Sequence, residues 1–208
     1  FGLSNLTFRN YYYLIFQHEM ALQSIWNTLW FSAAAATLAA VLALFVAYVS
    51  HRKLVPFAEV LGFFAMAPFV IPGIVMAIGF YAAYAAPPLA LDGTAALVIL
   101  AFFARCRLSA DANAHAAVRS VHPEMEEAAR MLGGDRWAVL RRVTLPLVAP
   151  AITGGGLLAG VASMALFGPQ AILGLPAQLV YLPTRIFGAI SSYPPRYAEA
   201  SAMSLVLV

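Results

Sequence analysis

Three stretches of the chain carry no Asp, Glu, Lys or Arg: residues 20–51, 60–91 and 143–184. Each exceeds the roughly 20 apolar residues that a helix needs to cross the hydrocarbon core of a bilayer. The first predicts a span over about Ile25–Val49, where the alanines at 33–36 are small enough for close helix packing. The second predicts a span over about Phe57–Tyr84, interrupted at "APFVIPG". There Pro68 and Pro72 each remove a backbone donor and Gly73 loosens the turn. Such breaks survive in membranes where protein or a watery cavity satisfies the freed carbonyls, so these three residues are candidates for a pathway lining or a packing kink. A shorter apolar segment, Gly93–Leu108, ends on Arg105 and Arg107. A fourth span is expected over Leu147–Phe167, with "GGG" at 154–156 and a Gly156-x-x-x-Gly160 pair suited to helix packing. A fifth begins near Ala198 and is still running at "SAMSLVLV". The chain opens on Phe1 and ends inside that run, so it reads as a fragment, and the lack of a targeting signal implies nothing.

Composition agrees with the pattern. Hydrophobic residues make up 62% of the 208 positions and charged residues 10%, against about 25% charged in a soluble domain. The alternative, a very apolar soluble bundle, sits poorly with three such runs. The single cysteine, Cys106, excludes an internal disulfide. The net charge of +3 is small, and no nucleic-acid partner is expected; its placement matters more. Basic residues favour the cytoplasmic side. Nine of the twelve (Arg52, Lys53, Arg105, Arg107, Arg119, Arg130, Arg136, Arg141 and Arg142) fall on one side when the spans alternate. Arg9, Arg185 and Arg196 fall on the other. Residues 105–146 are therefore expected in the cytoplasm, and the Pro- and Gly-rich segment 168–197 outside.

The charge lies mostly in "PEMEEAARMLGGDRWAVLRRVTLP", residues 123–146. Pro123 suits the first helical turn, where its missing N–H costs nothing, and Glu124, Glu126 and Glu127 favour the positive end of the helix dipole. Met125, Ala128, Ala129 and Leu132 recur at helical spacing as one apolar stripe. Glu126, Glu127 and Arg130 occupy the other face, with Glu126 and Arg130 spaced for an ion pair. Gly133 fits the left-handed position that ends a helix. Asp135 can cap a second helix carrying Trp137, Leu140, Arg141 and Arg142, and Thr144 and Pro146 can open the fourth span. A helical hairpin at the membrane surface results. It is either a solvated loop touching anionic lipid or a docking surface; the small residues and Trp137 favour docking.

These residues resemble the EAA loop in the permeases of binding-protein-dependent ABC importers, whose pattern is Glu-Ala-Ala, three residues, Gly, nine residues, Ile-x-Leu-Pro. Glu127, Ala128, Ala129, Gly133, Leu145 and Pro146 match at the same spacing, and Val143 stands in for the Ile. "WNTLWFSAAAATLAAVLALFVAYV" and "APFVIPGIVMAIG" look like the family's first and proline-broken second core helices. The resemblance implies an all-α, polytopic transmembrane bundle of the type I importer permease class. It would hold about five core helices, the last cut short, in one domain over 1–208 with a cytoplasmic coupling loop at 109–146. It implies that two permease halves form the channel and that the loop sits in a cleft of a cytoplasmic ATPase subunit. In that role Glu127 makes a polar contact, Ala128 and Ala129 allow close packing, and Gly133 makes the turn. Trp137, Leu145 and Pro146 complete the coupling set. A periplasmic binding protein and membrane lipid are the other implied partners, and the bacterial inner membrane the implied location. The outward segment "FGPQAILGLPAQLVYLPTRIFGAISSYPPRYAEAS" looks most like ferric-iron permeases, with polyamine and phosphonate permeases closely similar.

Other chemistry finds little support. No Gly-x-x-x-x-Gly-Lys-Ser/Thr is present, so ATP is expected on the partner and no cofactor in this chain. His115 and His122 lack further ligands at metal-binding spacing, and no G-x-S-x-G surrounds Ser32 or Ser163. An ion-coupled carrier would place ionisable groups within the spans, and a membrane-embedded enzyme would place a catalytic group there. Neither is visible, and no enzymatic activity is expected.

Overall fold

A computed structural model describes residues 9–12, 14, 16, 19–54 and 71–207. Among these the chain is helical and holds no strand. The elements are α1 (Arg9–Tyr12), α2 (Glu19–His51), α3 (Gly73–Tyr84), α4 (Ala95–Ser120) and α5 (Pro123–Met131). They are followed by α6 (Arg136–Met164), α7 (Phe167–Leu173), α8 (Leu182–Ser191) and α9 (Tyr197–Leu207). The all-α expectation is met. Two helices, α2 and α6, are long and apolar enough to cross a membrane, and less than half of the apolar window of either is buried. Their exposed side chains include Trp26, Trp30, Leu38 and Val41 on α2 and Leu147, Leu157, Leu158 and Val161 on α6. So much exposed apolar surface suits a helix facing lipid or another membrane subunit better than the core of a soluble bundle. Pro68 and residues 57–70 of the expected second span lie outside the described residues; its remainder is the apolar α3.

By contacts the chain forms two compact units, one of Phe1–Ser32, Gly73–Ala101 and Met164–Val208, the other of Ala33–Pro72 and Phe102–Ser163. In the first, Ala21 of α2, Leu182 and Ala189 of α8, and Ala200, Ala202 and Met203 of α9 share a buried cluster. Two polar contacts, one buried and one part-buried, hold α2 beside the start of α8. The Leu182 N–H donates to Thr28 Oγ1 at 2.9 Å, and Asn27 Nδ2 donates to the Val180 carbonyl at 3.0 Å. Phe31 and Tyr181 pack edge to face at 5.5 Å. Elsewhere in this unit α3 lies against α7: a Cβ added at Gly168 would come within 2.8 Å of the Ile74 nitrogen.

In the second unit small residues set the distance between helices. A Cβ on Gly156 would meet Ala40 at 3.4 Å, and one on Gly160 would meet Ala36 at the same distance. The glycine pair thus faces the alanines of α2, as small-residue packing requires in the absence of a hydrophobic drive between spans. The tightest approach is one residue earlier. A Cβ on Gly155 would sit 2.6 Å from the Asn113 Cβ of α4, nearer than real atoms pack. Gly155→Val is expected to destabilise the protein by about 2 kcal/mol through overpacking, whereas Gly156→Ala costs far less; thermal unfolding in detergent compares the two.

Two boundaries differ from expectation: α4 runs on to Ser120, past the expected end of the third segment at Leu108, and the fourth span starts early. The fourth span does not begin at Thr144 or Pro146 but continues the helix that starts at Arg136. The junction is a π-helical turn, Leu140–Thr144, in which the Leu145 N–H reaches back to the Leu140 carbonyl. A π turn shifts the hydrogen-bond register by one residue. Pro146 follows at once, and having no N–H it leaves no donor unsatisfied there. Thr144 caps nothing; its side chain is used elsewhere.

Candidate functional site

The hairpin of α5 and the start of α6 is assembled as the local sequence dictates. Pro123 occupies the first turn of α5 with Glu124 and Glu126. The helix ends in three stacked bonds: Leu132 N–H to Ala128 O, Gly133 N–H to Arg130 O, and Gly134 N–H to Ala129 O. This is the glycine-terminated cap that satisfies the last carbonyls. Gly133 takes φ +88°, a region costly to any residue with a Cβ. Gly134 is required for another reason, since a Cβ there would stand 2.9 Å from the Ala129 oxygen and 3.3 Å from Val139 Cγ2. Asp135 then accepts from the Ala138 N–H at 2.8 Å and caps the next helix, as its residue type predicts.

The burial of α5 departs from the simple amphipathic reading at both faces, although Glu127 and Arg130 stay exposed as expected. Glu126 is the inward residue, only 2% exposed, while Met125, Ala128 and Leu132 of the apolar stripe point outward and Ala129 is half-buried. The reason is a polar anchor that spans the unit. Glu126 Oε1 accepts from Arg52 Nη2 and from Thr144 Oγ1, each at 2.8 Å. Arg52 also donates to the Val121 carbonyl at 3.2 Å. One carboxylate therefore ties the end of α2, the hairpin and the π turn of α6 together. The expected ion pair with Arg130 is loose, at 3.8 Å. The direct Arg52–Glu126 pair also puts Arg52 and the hairpin on one side, as the alternation of spans requires. Sequence reasoning placed Glu126 on an outer polar face. The only hint against that was an arginine immediately after the first span, and its distance along the chain hid the partnership.

The residues of the coupling set stand as follows. Glu127 is exposed and lines a cavity of about 360 Å³ with Arg52, Lys53, Arg130 and Arg136. Gly133 is exposed at the tip. Met131 and Leu132 directly before it and Trp137 shortly after it are 88%, 90% and 61% exposed and make up the apolar ridge of the hairpin. Leu145 and Pro146 are exposed on α6 just past the π turn. Of the other candidates, Pro72 is exposed directly before α3, and Gly73 is its first residue, where a Cβ would make ordinary contact with Pro169 at 3.7 Å.

A second buried pair lies in α4, where Arg107 clasps Asp111 through both carboxylate oxygens at 2.8 to 3.1 Å. Burial nevertheless pushes the Asp111 carboxyl above its ordinary 3.8, and Arg107 offsets this only in part. The folded-state value is the higher one, so the stabilisation it brings is fully present below about pH 4 and is lost as pH rises through the raised value. Asp111→Asn escapes that loss. Its unfolding midpoint in detergent is expected to gain on the native protein's between pH 4 and pH 7.

No family model matches the chain. It is similar to a protein of Salmonella paratyphi A named as a 2-aminoethylphosphonate transport system permease. The two are 28% identical over 141 residues, covering 68% of this chain and 52% of that protein. It is also similar to proteins named as ferric transport system permeases. One, from Haemophilus influenzae, is 30% identical over 92 residues, or 44% of this chain and 14% of its own length. Another, from Actinobacillus pleuropneumoniae, is 29% identical over 92 residues, or 44% and 13%. The chain spans about half the length of the phosphonate-system relatives it matches.

Proposed function

We propose that this chain, a permease of the ABC importer type, is part of one membrane half of an ATP-driven importer and takes its motion from a cytoplasmic ATPase through the hairpin 123–146. The observation that carries this reading is a ridge of Met131, Leu132 and Trp137 left open on a hairpin that is rigidly anchored beneath. Large apolar side chains left this exposed, and close together in the chain, suit an interaction site. The anchor gives such a site something to push on. Force applied to the ridge reaches α2 through Arg52 and α6 through Thr144 without crossing a flexible joint. Glu127 stands beside the ridge for a polar contact, and Ala128 is small and open for close approach.

In this account a binding protein delivers cargo on the outer face. Closure of two ATPases on ATP then moves the paired hairpins, and the spans of two permease halves alternate their access. ATP is held by the partner. The hairpin and residues 105–146 lie in the cytoplasm, and the spans in a bacterial inner membrane. The cargo reading rests first on the likeness of residues 167–201 to ferric-iron permeases. A second reading, a phosphonate, is favoured by the longer match to the 2-aminoethylphosphonate system relatives. Uptake of labelled ferric iron against labelled 2-aminoethylphosphonate, each with its binding protein, separates the two.

The test of the coupling itself is co-purification of the full-length protein with its co-expressed ATPase in mild detergent. The native chain is expected to retain the ATPase, and Glu127→Arg and Leu132→Asp to lose it while remaining folded. Equal retention by both variants would remove the docking assignment. Absence of any ATPase, with uptake that follows a proton or sodium gradient, would favour a secondary carrier.

A further inference from the structure

The cavity beside Glu127 carries more charge than an ATPase contact accounts for. Arg52, Lys53, Arg130 and Arg136 line it against Glu126 and Glu127, which leaves a net charge of +2 in about 360 Å³. Part of that charge is unsatisfied: the Arg52 Nε is buried without a hydrogen-bond partner, even though the same guanidinium holds Glu126 and the Val121 carbonyl. Such a site favours an anion with several acceptor oxygens. The depth of the site narrows the choice. Arg52 and Lys53 directly follow the charge-free run 20–51, so they sit where a span leaves the hydrocarbon and meets the head-group layer.

An apolar hollow of about 180 Å³ lies nearby in the same unit, lined by Leu44, Phe45, Tyr48, Trp137, Leu140, Arg141 and Leu145. The two spaces adjoin, for the Arg52 N–H donates to the Tyr48 carbonyl at 3.0 Å and Trp137 of the hollow directly follows Arg136 of the cavity. The hollow is walled by the last turns of α2 and the first turns of α6, where the hairpin runs into the span. On the membrane reading its α2 wall, Leu44, Phe45 and Tyr48, lies on the acyl side of Arg52 and Lys53. We infer that this pair of spaces binds one anionic phospholipid, its phosphate in the Arg52–Lys53–Arg130–Arg136 cavity and the head of one acyl chain against Phe45, Tyr48 and Leu140. An acidic side chain of a protein partner would use the cations but has no need of the apolar hollow. Basic pockets on the cytoplasmic side of membrane bundles suit acidic head groups. The inference rests on the membrane reading of the chain and not on the identity of the ATPase or the cargo.

Native mass spectrometry of the full-length protein tests it, using mixed micelles of phosphatidylglycerol and phosphatidylcholine with the same acyl chains. Phosphatidylglycerol is expected to stay bound in preference. Lys53→Gln with Arg136→Gln, which leaves the Arg52–Glu126 anchor untouched, is expected to weaken its retention about thirtyfold. Arg119→Gln with Arg142→Gln removes the same charge outside the cavity and is expected to leave retention close to native. Equal loss in both double variants, or no preference for the anionic lipid, would overturn the site. So would displacement by millimolar inorganic phosphate, which would make it a soluble-anion site. Displacement by the purified ATPase, with Lys53→Gln and Arg136→Gln weakening ATPase retention instead, would make the occupant an acidic protein surface. The lipid measurement needs no ATPase, so its failure leaves the co-purification result standing and the reverse holds too.

Discussion

Glu126→Ala is expected to lower the stability of the detergent-solubilised protein by about 3 kcal/mol, read as a fall in the thermal unfolding midpoint, and to abolish ATPase coupling even where the fold survives. The magnitude follows from the asymmetry of buried charge. Removing one member of a buried pair leaves the other uncompensated, at a cost of about 3–5 kcal/mol. Arg52 remains 11% exposed, so some water reaches it and the lower end applies. The hydroxyl of Thr144, fully buried, loses its acceptor as well. Thr144→Val removes only one neutral donor and is expected to cost about 1 kcal/mol. The functional loss has a separate cause. Without the carboxylate, the hairpin keeps its own caps but is no longer fastened to α2 and to the π turn. An ATPase could still bind the ridge, yet its movement would be absorbed in the hairpin. Binding retained with transport lost is the signature that separates an anchor from a contact residue.

The second large effect falls on the adjacent glycines. Gly133→Val forces a β-branched residue to φ +88° and is expected to cost about 2 kcal/mol, with no clash to relieve, since nothing lies within 4 Å of the added Cβ. Gly134→Val is expected to cost a similar amount by the opposite route, a collision with the Ala129 oxygen and Val139. Asparagine separates them. It tolerates the left-handed region, so Gly133→Asn is expected to recover most of the stability and the ATPase retention. Gly134→Asn recovers neither, because the collision remains. Thermal midpoints and co-purification of the four variants check this. Equal rescue at both positions would show that the collision at Gly134 does not govern the turn.

The sequence made the hairpin's ends legible and hid its interior. Pro123, Gly133 and Asp135 act within a few residues of themselves, through a missing donor, a left-handed φ and a side-chain cap, so their residue types sufficed. The orientation of α5 was not legible from the same stretch. Periodicity assigns Met125 and Leu132 to one face and Glu126 to the other, but it does not say which face is inward. In a soluble protein the apolar face goes inside. Here Arg52, distant in sequence, draws Glu126 in and leaves the apolar face outside. The π turn was hidden for a related reason. Thr144 before Pro146 is the pattern of a helix start, and only the pairing of Thr144 with Glu126 shows the helix running through. Packing between spans was partly legible: the Gly156–Gly160 pair is conspicuous, while Gly155, the closer approach, depends on Asn113 of another helix.

The most direct test of the central claim is photo-crosslinking from the ridge in native membranes. Cys106 is buried, so with any cysteine outside residues 1–208 replaced, Leu132→Cys in the full-length protein can be labelled selectively with a photoreactive maleimide. Leu157→Cys on the exposed face of α6 serves as the comparison. An adduct with the mass of one ATPase subunit is expected from position 132, changed in yield by ATP, and none from position 157. An ATPase adduct from both positions, or from neither while the ATPase is present, would contradict it.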